Sequence, residues 1–466
     1  MNRLLYWTIV SALAGFLFGF DTVVISGAEK KIQTLWGLSG GMHGLAMGSA
    51  LYGMVIGSLL GAWPTEKYGR RKTLVWIGVL YLVTAIGSAL AQDVWTFSIA
   101  RFLGGIGVGI STIASPLFIS EIAPPERRGR LAGMFQFNIV LGIVVAFGSN
   151  WLVSKVGGEH AWRWMLGIMA FPSVLYTFLC LGLPESPRWL ISKKNDRAKA
   201  MDVLKLISPN ASQTEIEASV ATIASHSAHG APTGSFWSKR LKLPIILAFL
   251  IAFFNQVSGI NVVLYFAPRI FEMAGLKEES ALLQSIGIGI TNLIFTFVGL
   301  RLIDRLGRRT LMYIGSFGYI ISLSMVAWAF YTRSSGMVPF WIFAFVAAHA
   351  VGQGAVIWVF ISEIFPNEHR ANGQSLGSFT HWIFAAALVT VCPIFFPKPE
   401  EGKVPDPAEM AQFGGVFIFF AAMMVLQLIW VRFMMPETKG IPLEELEAKL
   451  GMGGDEIPAT ASPSES

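Results

Sequence analysis

Long runs of apolar residues follow one another along the chain, and short polar stretches separate them. A helix that crosses a bilayer needs roughly 20 mostly apolar residues. Twelve runs reach that length, and we number them spans 1 to 12. They lie at 8–28, 44–64, 74–92, 96–120, 131–153, 164–183, 244–271, 281–303, 310–331, 338–362, 372–396 and 411–435. The pattern predicts an all-α membrane protein, and the even number of spans places both chain termini on one side.

A long polar stretch after span 6 separates two parts of the chain that share motifs in the same order. The pairs are EKYGRR at 66–71 with DRLGRR at 304–309, SEIAP at 120–124 with SEIFP at 362–366, and PES at 184–186 with PET at 436–438. Parallel repeats of this kind are a transporter architecture. We predict a six-helix bundle over 1–184, a cytoplasmic helical linker over 185–242, a second six-helix bundle over 243–436, and a partly disordered cytoplasmic tail over 437–466.

Composition and charge agree with a lipid environment. Only 14% of the 466 residues are charged, whereas a soluble domain carries about a quarter. Of the 35 Lys and Arg residues, 25 fall on the side of the termini, nine on the other side, and Arg101 lies inside span 4. The positive-inside rule makes the richer side cytoplasmic. The net charge of +6 therefore reflects membrane topology, and we expect no nucleic-acid binding.

The repeated motifs, together with FGFDTVVISGA at 18–28, PESPRWL at 184–190, NQVSGIN at 255–261 and PETKG at 436–440, resemble the sugar porter family of the major facilitator superfamily. The resemblance covers about residues 5–450 and is to bacterial proton-coupled monosaccharide symporters. It implies two pseudo-symmetric six-helix bundles and alternating access. The chain departs from the usual family pattern at Glu66-Lys67, normally Asp-Arg, and at Ala371, normally Gly.

Polar and aromatic side chains inside the spans are the candidates for binding a sugar. Amides both donate and accept hydrogen bonds to hydroxyls, and aromatic rings cover the C–H faces of a sugar ring. Polar groups within a span are costly and face the interior. The resemblance implies that the sugar ligands stand at the positions of these candidates, which are Phe18, Gln136, Asn255, Gln256, Asn261, Tyr265, Asn292, Trp358, His381 and Trp382. Gly259 is expected to weaken span 7 locally, and the role of His381 as ligand, pH-sensitive group or interhelix bond stays open.

Two opposite charges lie within the first bundle, Asp21 in the middle of span 1 and Arg101 early in span 4. Charges at such depth are expensive, so they should face a cavity or each other. The resemblance implies that Asp21 carries a proton and that Arg101 tunes its affinity. A static pair that holds the two helices together is the alternative.

A second group of charges lies where the spans meet the cytoplasm, at positions related by the repeat. We predict that ion pairs between the two halves close the inner side when the cavity opens outward. The gate residues are Glu66, Arg70, Glu121, Arg128, Glu185, Asp304, Arg308, Glu363, Arg370 and Glu437.

The predicted function is transport of a monosaccharide, with a proton as the co-transported ion and the lipid bilayer as surroundings. We expect no cofactor, no metal, a monomer, and a bacterial inner membrane. The run GGIGVG at 104–109 is explained by close helix packing. A passive sugar or polyol uniporter is the main alternative. A sugar-sensing receptor would need a larger cytoplasmic extension, and the HExxH pattern of zinc enzymes does not occur in the sequence.

Overall fold

A computed structural model describes residues 3–124, 127–228, 235–366, 368–397, 406–441, 445–446 and 450, and these residues form helices and connecting turns. Twelve of the helical segments are long and apolar enough to cross a membrane. They are Arg3–Gly27, Gly40–Leu60, Arg70–Leu90, Val94–Ile122, Gly129–Val156, Gly158–Leu181, Lys239–Tyr265, Glu278–Leu306, Arg308–Thr332, Val338–Glu363, Arg370–Phe395 and Pro407–Phe433. The prediction of twelve spans is confirmed.

The helices pack as two halves with the same internal arrangement. In the first half, span 1 packs on span 5, span 2 on span 4, and span 3 on spans 4 and 6. In the second half, span 7 packs on span 11, span 8 on span 10, and span 9 on spans 10 and 12. The two halves meet along spans 2 and 11 and along spans 5 and 8. The described chain therefore forms the pseudo-symmetric twelve-helix arrangement that the repeated motifs predict.

Three helices connect the halves after span 6: Pro187–Lys194, Arg197–Ile207 and Gln213–Ala228. The first two begin at side chains that cap free backbone N–H groups, Ser186 and Asp196. We call the side that carries these helices, the start of span 1 and the end of span 12 the linker side. The opposite side is called the far side.

Spans 7 and 10 are each interrupted by a break in the helix. In span 7 the helix stops at Val257 and restarts at Ile260, because Gly259 has a φ of +85°, which side chains other than glycine rarely adopt. In span 10 the helix stops at Val351 and restarts at Gln353. The break at Gly259 confirms the expected weak point of span 7, whereas the break in span 10 was not predicted.

Glycines in span 4 allow neighbouring helices to come unusually close. A Cβ atom at Gly105 would lie 1.9 Å from the carbonyl oxygen of Ala50 in span 2. A Cβ atom at Gly104 would lie 2.4 Å from the side chain of Thr84 in span 3. The GGIGVG run therefore serves helix packing, as predicted.

Candidate functional site: a central cavity and two charged clusters

A cavity of about 560 Å³ lies between the two halves and draws residues from both. Nine of the ten predicted ligand residues line it: Phe18, Gln136, Asn255, Gln256, Asn261, Asn292, Trp358, His381 and Trp382. The lining continues toward the linker side to Ala62 at the end of span 2 and Ala371 at the start of span 11. The cavity therefore opens toward the linker side.

The amides of span 7 form one connected hydrogen-bond group beside the cavity. Gln256 Nε2 donates to Asn255 Oδ1 at 2.9 Å, and Gln256 Oε1 accepts from Asn261 Nδ2 at 2.7 Å. Gln256 Nε2 also lies 3.0 Å from a ring nitrogen of His381 in span 11. The break at Gly259 brings Asn261 to Gln256, because the chain changes direction between them. These mutual bonds fix the amides in place before any ligand arrives, which lowers the entropy cost of binding.

Aromatic rings from both halves form the part of the wall next to these amides. His381 lies between Trp358, with ring centroids 5.4 Å apart, and Trp382, with centroids 4.5 Å apart. Phe18 of the first half meets Trp382 at 5.7 Å. A cavity lined by both amides and aromatic faces suits a small molecule that has hydroxyl groups around an apolar ring.

Sequence reasoning missed a second histidine in this cavity. His349 lines it, and its Nδ1 lies 2.6 Å from the hydroxyl of the buried Tyr319. The bond to Tyr319 fixes the orientation of the imidazole ring. A Cβ atom added at Gly354, another lining residue, would lie 3.5 Å from His349 Nε2, so this nitrogen points toward the cavity wall. An intramembrane histidine just before the GQG sequence at 352–354 was the available signal.

The structure does not bring Tyr265 to the cavity. Tyr265 is 1% exposed, and its hydroxyl interacts electrostatically with Arg101 and Asp21 instead. Asn261 and Tyr265 belong to the same short helix, Ile260–Tyr265, which packs against span 1. The helix therefore contacts the cavity at one end and the buried charge pair at the other.

Asp21 and Arg101 form an ion pair that is closed off from solvent. Arg101 Nη1 donates to Asp21 Oδ1 at 2.5 Å, and Arg101 Nη2 donates to the Asp21 carbonyl oxygen at 3.2 Å. The two residues are 0% and 2% exposed. Asp21 Oδ2, Arg101 Nε and the Tyr265 hydroxyl have no hydrogen-bond partner among the described atoms. A buried pair with unused polar atoms is costly to keep, which is typical of a functional group rather than a stabilising one.

The predicted gate residues pair within each half. On the first half, Arg70 binds Glu121 at 2.7 Å, and Glu185 accepts from the backbone N–H groups of Arg70 and Arg71 at 2.7 and 3.3 Å. The second half repeats this arrangement. Arg308 binds Glu363 at 2.7 Å, and Glu437 accepts from the backbone N–H groups of Arg308 and Arg309.

The expected ion pairs between the halves on the linker side are therefore not formed by the described residues in this conformation. The physical reason is that the cavity opens on this side, so the two halves are separated there. Asp304 pairs with Arg308 at 3.3 Å and Glu66 pairs with Lys193 of the linker at 3.2 Å. The Arg370 Nε atom is buried without a hydrogen-bond partner in the described chain. The side chain of Arg128 lies outside the described part.

On the far side, a buried charged cluster that was not predicted joins the halves. Glu29, Gln33 and His43 come from the first half, and Arg269 comes from the second. His43 Nε2 lies 2.8 Å from Glu29 Oε2, and Arg269 Nη1 donates to Glu29 Oε2 at 3.2 Å and to Gln33 Oε1 at 2.8 Å. Arg269 Nη2 donates to the carbonyl oxygen of Pro397. All four residues are less than 5% exposed, so they close the far side between the halves.

The cluster keeps Glu29 ionised. Burial by itself would raise the pKa of the Glu29 carboxyl, but Arg269, His43 and Lys30 together hold the pKa below its ordinary value of about 4.5. Opening of the far side would return the pKa toward that ordinary value. The contribution of Glu29 to closure is therefore complete above pH 4.5 and is lost as the pH falls through the lowered pKa.

We predict that Arg269→Gln opens the far side. The substitution leaves Glu29 buried without its main cation, which costs roughly 3–5 kcal/mol in the closed state. The accessibility of a cavity cysteine, Asn292→Cys in a chain whose Cys180 and Cys392 are serine, would be measured with an impermeant maleimide added on the far side. Labelling should rise strongly for Arg269→Gln at pH 7.

The matched control is Lys155→Gln, which also removes a far-side cation that pairs across the halves, with Glu279 at 3.1 Å. The Lys155 side chain is 43% exposed, so its pair is worth only about 0–1 kcal/mol. Equal labelling of the two variants would show that the buried cluster has no special part in closure.

The family model described as "Sugar (and other) transporter" matches residues 7–450. The arabinose-proton symporter of Bacillus subtilis is 34% identical, over 96% of this chain and 95% of its own length. The D-xylose-proton symporter of Escherichia coli K12 is also 34% identical, over 95% of this chain and 94% of its own.

Solved structures show the same similarity. The partially occluded inward-open conformation of the xylose transporter XylE from Escherichia coli has a TM-score of 0.82 and 30% identity, and covers 95% of this chain and 100% of that chain. The proton:xylose symporter XylE bound to 6-bromo-6-deoxy-D-glucose has a TM-score of 0.76 and 33% identity, and covers 97% of this chain and 100% of that chain.

Proposed function

The chain belongs to the sugar porter family of the major facilitator superfamily, and from this premise we propose that it is a monosaccharide:proton symporter that works by alternating access. One observation carries the proposal. One short helix, Ile260–Tyr265, contacts both the cavity of amides and aromatic rings and the buried Asp21–Arg101 pair. Uptake of labelled arabinose, xylose and glucose into proteoliposomes tests it, and an aldopentose is the first substrate to try.

The cavity residues take distinct roles in binding. Gln256, Asn261 and Asn292 offer amide groups to ring hydroxyls, and Gln136 adds another from span 5. Trp358, Trp382 and Phe18 cover an apolar ring face. Asn255, His381 and His349 add further hydrogen-bonding groups to the cavity wall.

Span 7 supplies the coupling between sugar and proton. A sugar bound at Asn261 shifts or immobilises the helix Ile260–Tyr265. Tyr265, four residues after Asn261, transmits that change to the Asp21–Arg101 pair. Protonation of Asp21 removes one charge of the pair and releases Arg101. The proton and the sugar then cross together, since each changes the same short helix.

Alternating access exchanges closure on one side for closure on the other. The conformation described has its far side closed by Glu29 and Arg269 and its cavity open to the linker side. It corresponds to an inward-facing state if the linker side is cytoplasmic, as the excess of Lys and Arg on that side supports. We propose that Glu363, Arg370 and the other gate residues form ion pairs between the halves in the outward-facing state.

The protein is a multi-pass plasma membrane protein, and we propose that both termini are cytoplasmic and that one copy suffices for transport. The cavity is built from the two halves of a single chain, which supports the monomer. A passive uniporter is the second candidate. It would require the Asp21–Arg101 pair to be a static link between spans 1 and 4.

We predict that Trp358→Ala weakens sugar binding by roughly 30–150-fold, corresponding to the loss of about 2–3 kcal/mol from an aromatic side chain that covers the ligand. Trp358→Phe keeps a ring face and should lose less. Binding would be measured by isothermal titration calorimetry in detergent. Trp328→Ala is the control, because Trp328 is 52% exposed on the outside of span 9. Equal affinities of Trp358→Ala and the wild type would show that Trp358 does not contribute to sugar binding.

A further inference from the structure

A groove of about 720 Å³ lies at the linker-side edge of the first half, away from the central cavity. Its walls come from the start of span 3, the end of span 6 and the first two linker helices. Four cations line it: Arg71, Lys72, Lys194 and Lys199. From this groove we infer a binding site for the phosphate headgroup of an anionic phospholipid.

The charges of the groove are not balanced by the protein. Of its two carboxylates, Asp196 is paired with Lys199 at 2.8 Å, and Glu185 accepts from backbone N–H groups of Arg70, Arg71 and Ser186. Lys72 and Lys194 form no ion pair with any residue in the described ranges. Lys194 lies over the Trp189 ring, with Nζ 5.5 Å from the ring centroid, and this contact leaves its positive charge unneutralised. Both lysines therefore carry charge that an anion from outside the chain would balance.

The guanidinium of Arg71 is held in a fixed position at the groove. Arg71 Nη2 donates to the carbonyl oxygen of Leu181 at 2.5 Å, which fixes the guanidinium at the junction of spans 3 and 6. Because part of the guanidinium is already bonded, the group is oriented before a ligand binds, and its remaining N–H groups are suited to phosphate oxygens.

The position at the membrane boundary favours a lipid as the source of the phosphate. Trp76, one turn after Lys72, is 64% exposed, and Leu181 is 48% exposed. Both line the groove and provide an apolar surface for acyl chains below the cations. Basic pockets beside membrane helices on the cytoplasmic side bind anionic headgroups in this way.

The second half provides an internal comparison. The offset of 238 residues that relates EKYGRR to DRLGRR places Arg309 opposite Arg71 and Thr310 opposite Lys72. The offset of 252 that relates PES to PET places Leu446 opposite Lys194. The arginine that belongs to the helix junction is retained, whereas both unpaired lysines are absent. The two lysines are therefore not a by-product of the repeated fold, and positive-inside topology does not require them at these positions.

The test is native mass spectrometry of the full-length protein, released from detergent that contains equimolar phosphatidylglycerol and phosphatidylcholine. The wild-type protein should retain phosphatidylglycerol in preference to phosphatidylcholine. The double variant Lys72→Gln/Lys194→Gln should bind it about 25-fold more weakly, since each lysine contributes roughly fivefold. The control Lys205→Gln/Lys239→Gln removes the same charge from exposed positions outside the groove and should bind as the wild type does.

Two results would overturn the inference. Unchanged phosphatidylglycerol binding by the groove variant, or an equal loss in the control, would mean that the groove does not recognise the lipid. Displacement of the lipid by millimolar inorganic phosphate would show that the site serves a soluble phosphate instead. Persistence of the lipid under inorganic phosphate supports the phospholipid, because the acyl chains add binding that the free anion lacks.

Discussion

Asp21→Asn should abolish accumulation of sugar against a gradient while exchange of sugar across the membrane continues. Asparagine keeps the size and can still accept a hydrogen bond from Arg101, but it cannot bind and release a proton. The cavity residues are untouched, so sugar still binds and crosses. The measurement compares proton-driven uptake with counterflow of labelled sugar in the same proteoliposomes. Uptake should fall to the level without a gradient, and counterflow should persist.

Two further variants separate the loss of the proton site from a loss of folding. Asp21→Asn leaves Arg101 buried without its partner, which costs roughly 3–5 kcal/mol and could reduce folding. The double variant Asp21→Asn/Arg101→Met removes the unpaired charge and should show the same loss of accumulation. Asp202→Asn, on an exposed linker position, should behave as the wild type. Undiminished accumulation by a folded Asp21→Asn protein would show that the charge pair is a static link between spans 1 and 4.

Gly44→Trp should arrest the protein with its far side open. Span 2 meets span 11 so closely here that a Cβ atom at Gly44 would lie 1.9 Å from the carbonyl oxygen of Thr390. One turn earlier, a Cβ atom at Gly40 would lie 2.6 Å from the carbonyl oxygen of Pro393. An indole cannot fit into this seam, because the obstacle is backbone. Transport should fall by roughly 100-fold, as the closed state becomes a population of about 1%.

The matched control is Gly41→Trp, three residues earlier on the same helix. A Cβ atom at Gly41 would lie 4.0 Å from the side chain of Ile394, which is ordinary contact with a flexible group. Far-side labelling of the Asn292→Cys reporter should be high in Gly44→Trp and near the wild-type level in Gly41→Trp. Active transport by Gly44→Trp would show that the seam between spans 2 and 11 need not close.

The sequence predicted the elements of this fold well, because the bilayer imposes a minimum length on each apolar run. The break in span 7 was also visible, since Gly259 stands in a cluster of polar residues. The break in span 10 was missed because Gly352 lies between long apolar runs. His349 was missed together with it.

Contacts between the halves could not be predicted to the same extent. Tyr265 was assigned to the cavity with the other polar and aromatic residues inside the spans, but the helix Ile260–Tyr265 contacts the cavity at Asn261 and the Asp21–Arg101 pair at Tyr265. Glu29 and Arg269 are about 240 residues apart, and nothing local in the sequence indicates that they meet. The gate residues lie as predicted at the ends of spans, yet their partners depend on the conformation, which one sequence does not specify.

The central claim is that sugar and proton cross together, and sugar-evoked proton uptake tests it most directly. Proteoliposomes with the wild-type protein would receive arabinose, xylose, glucose, galactose, fructose or inositol while the external pH is recorded. Our account predicts alkalinisation outside with at least one monosaccharide, and no signal with Asp21→Asn. Equilibration of labelled sugar without any proton movement would contradict it and make the protein a uniporter.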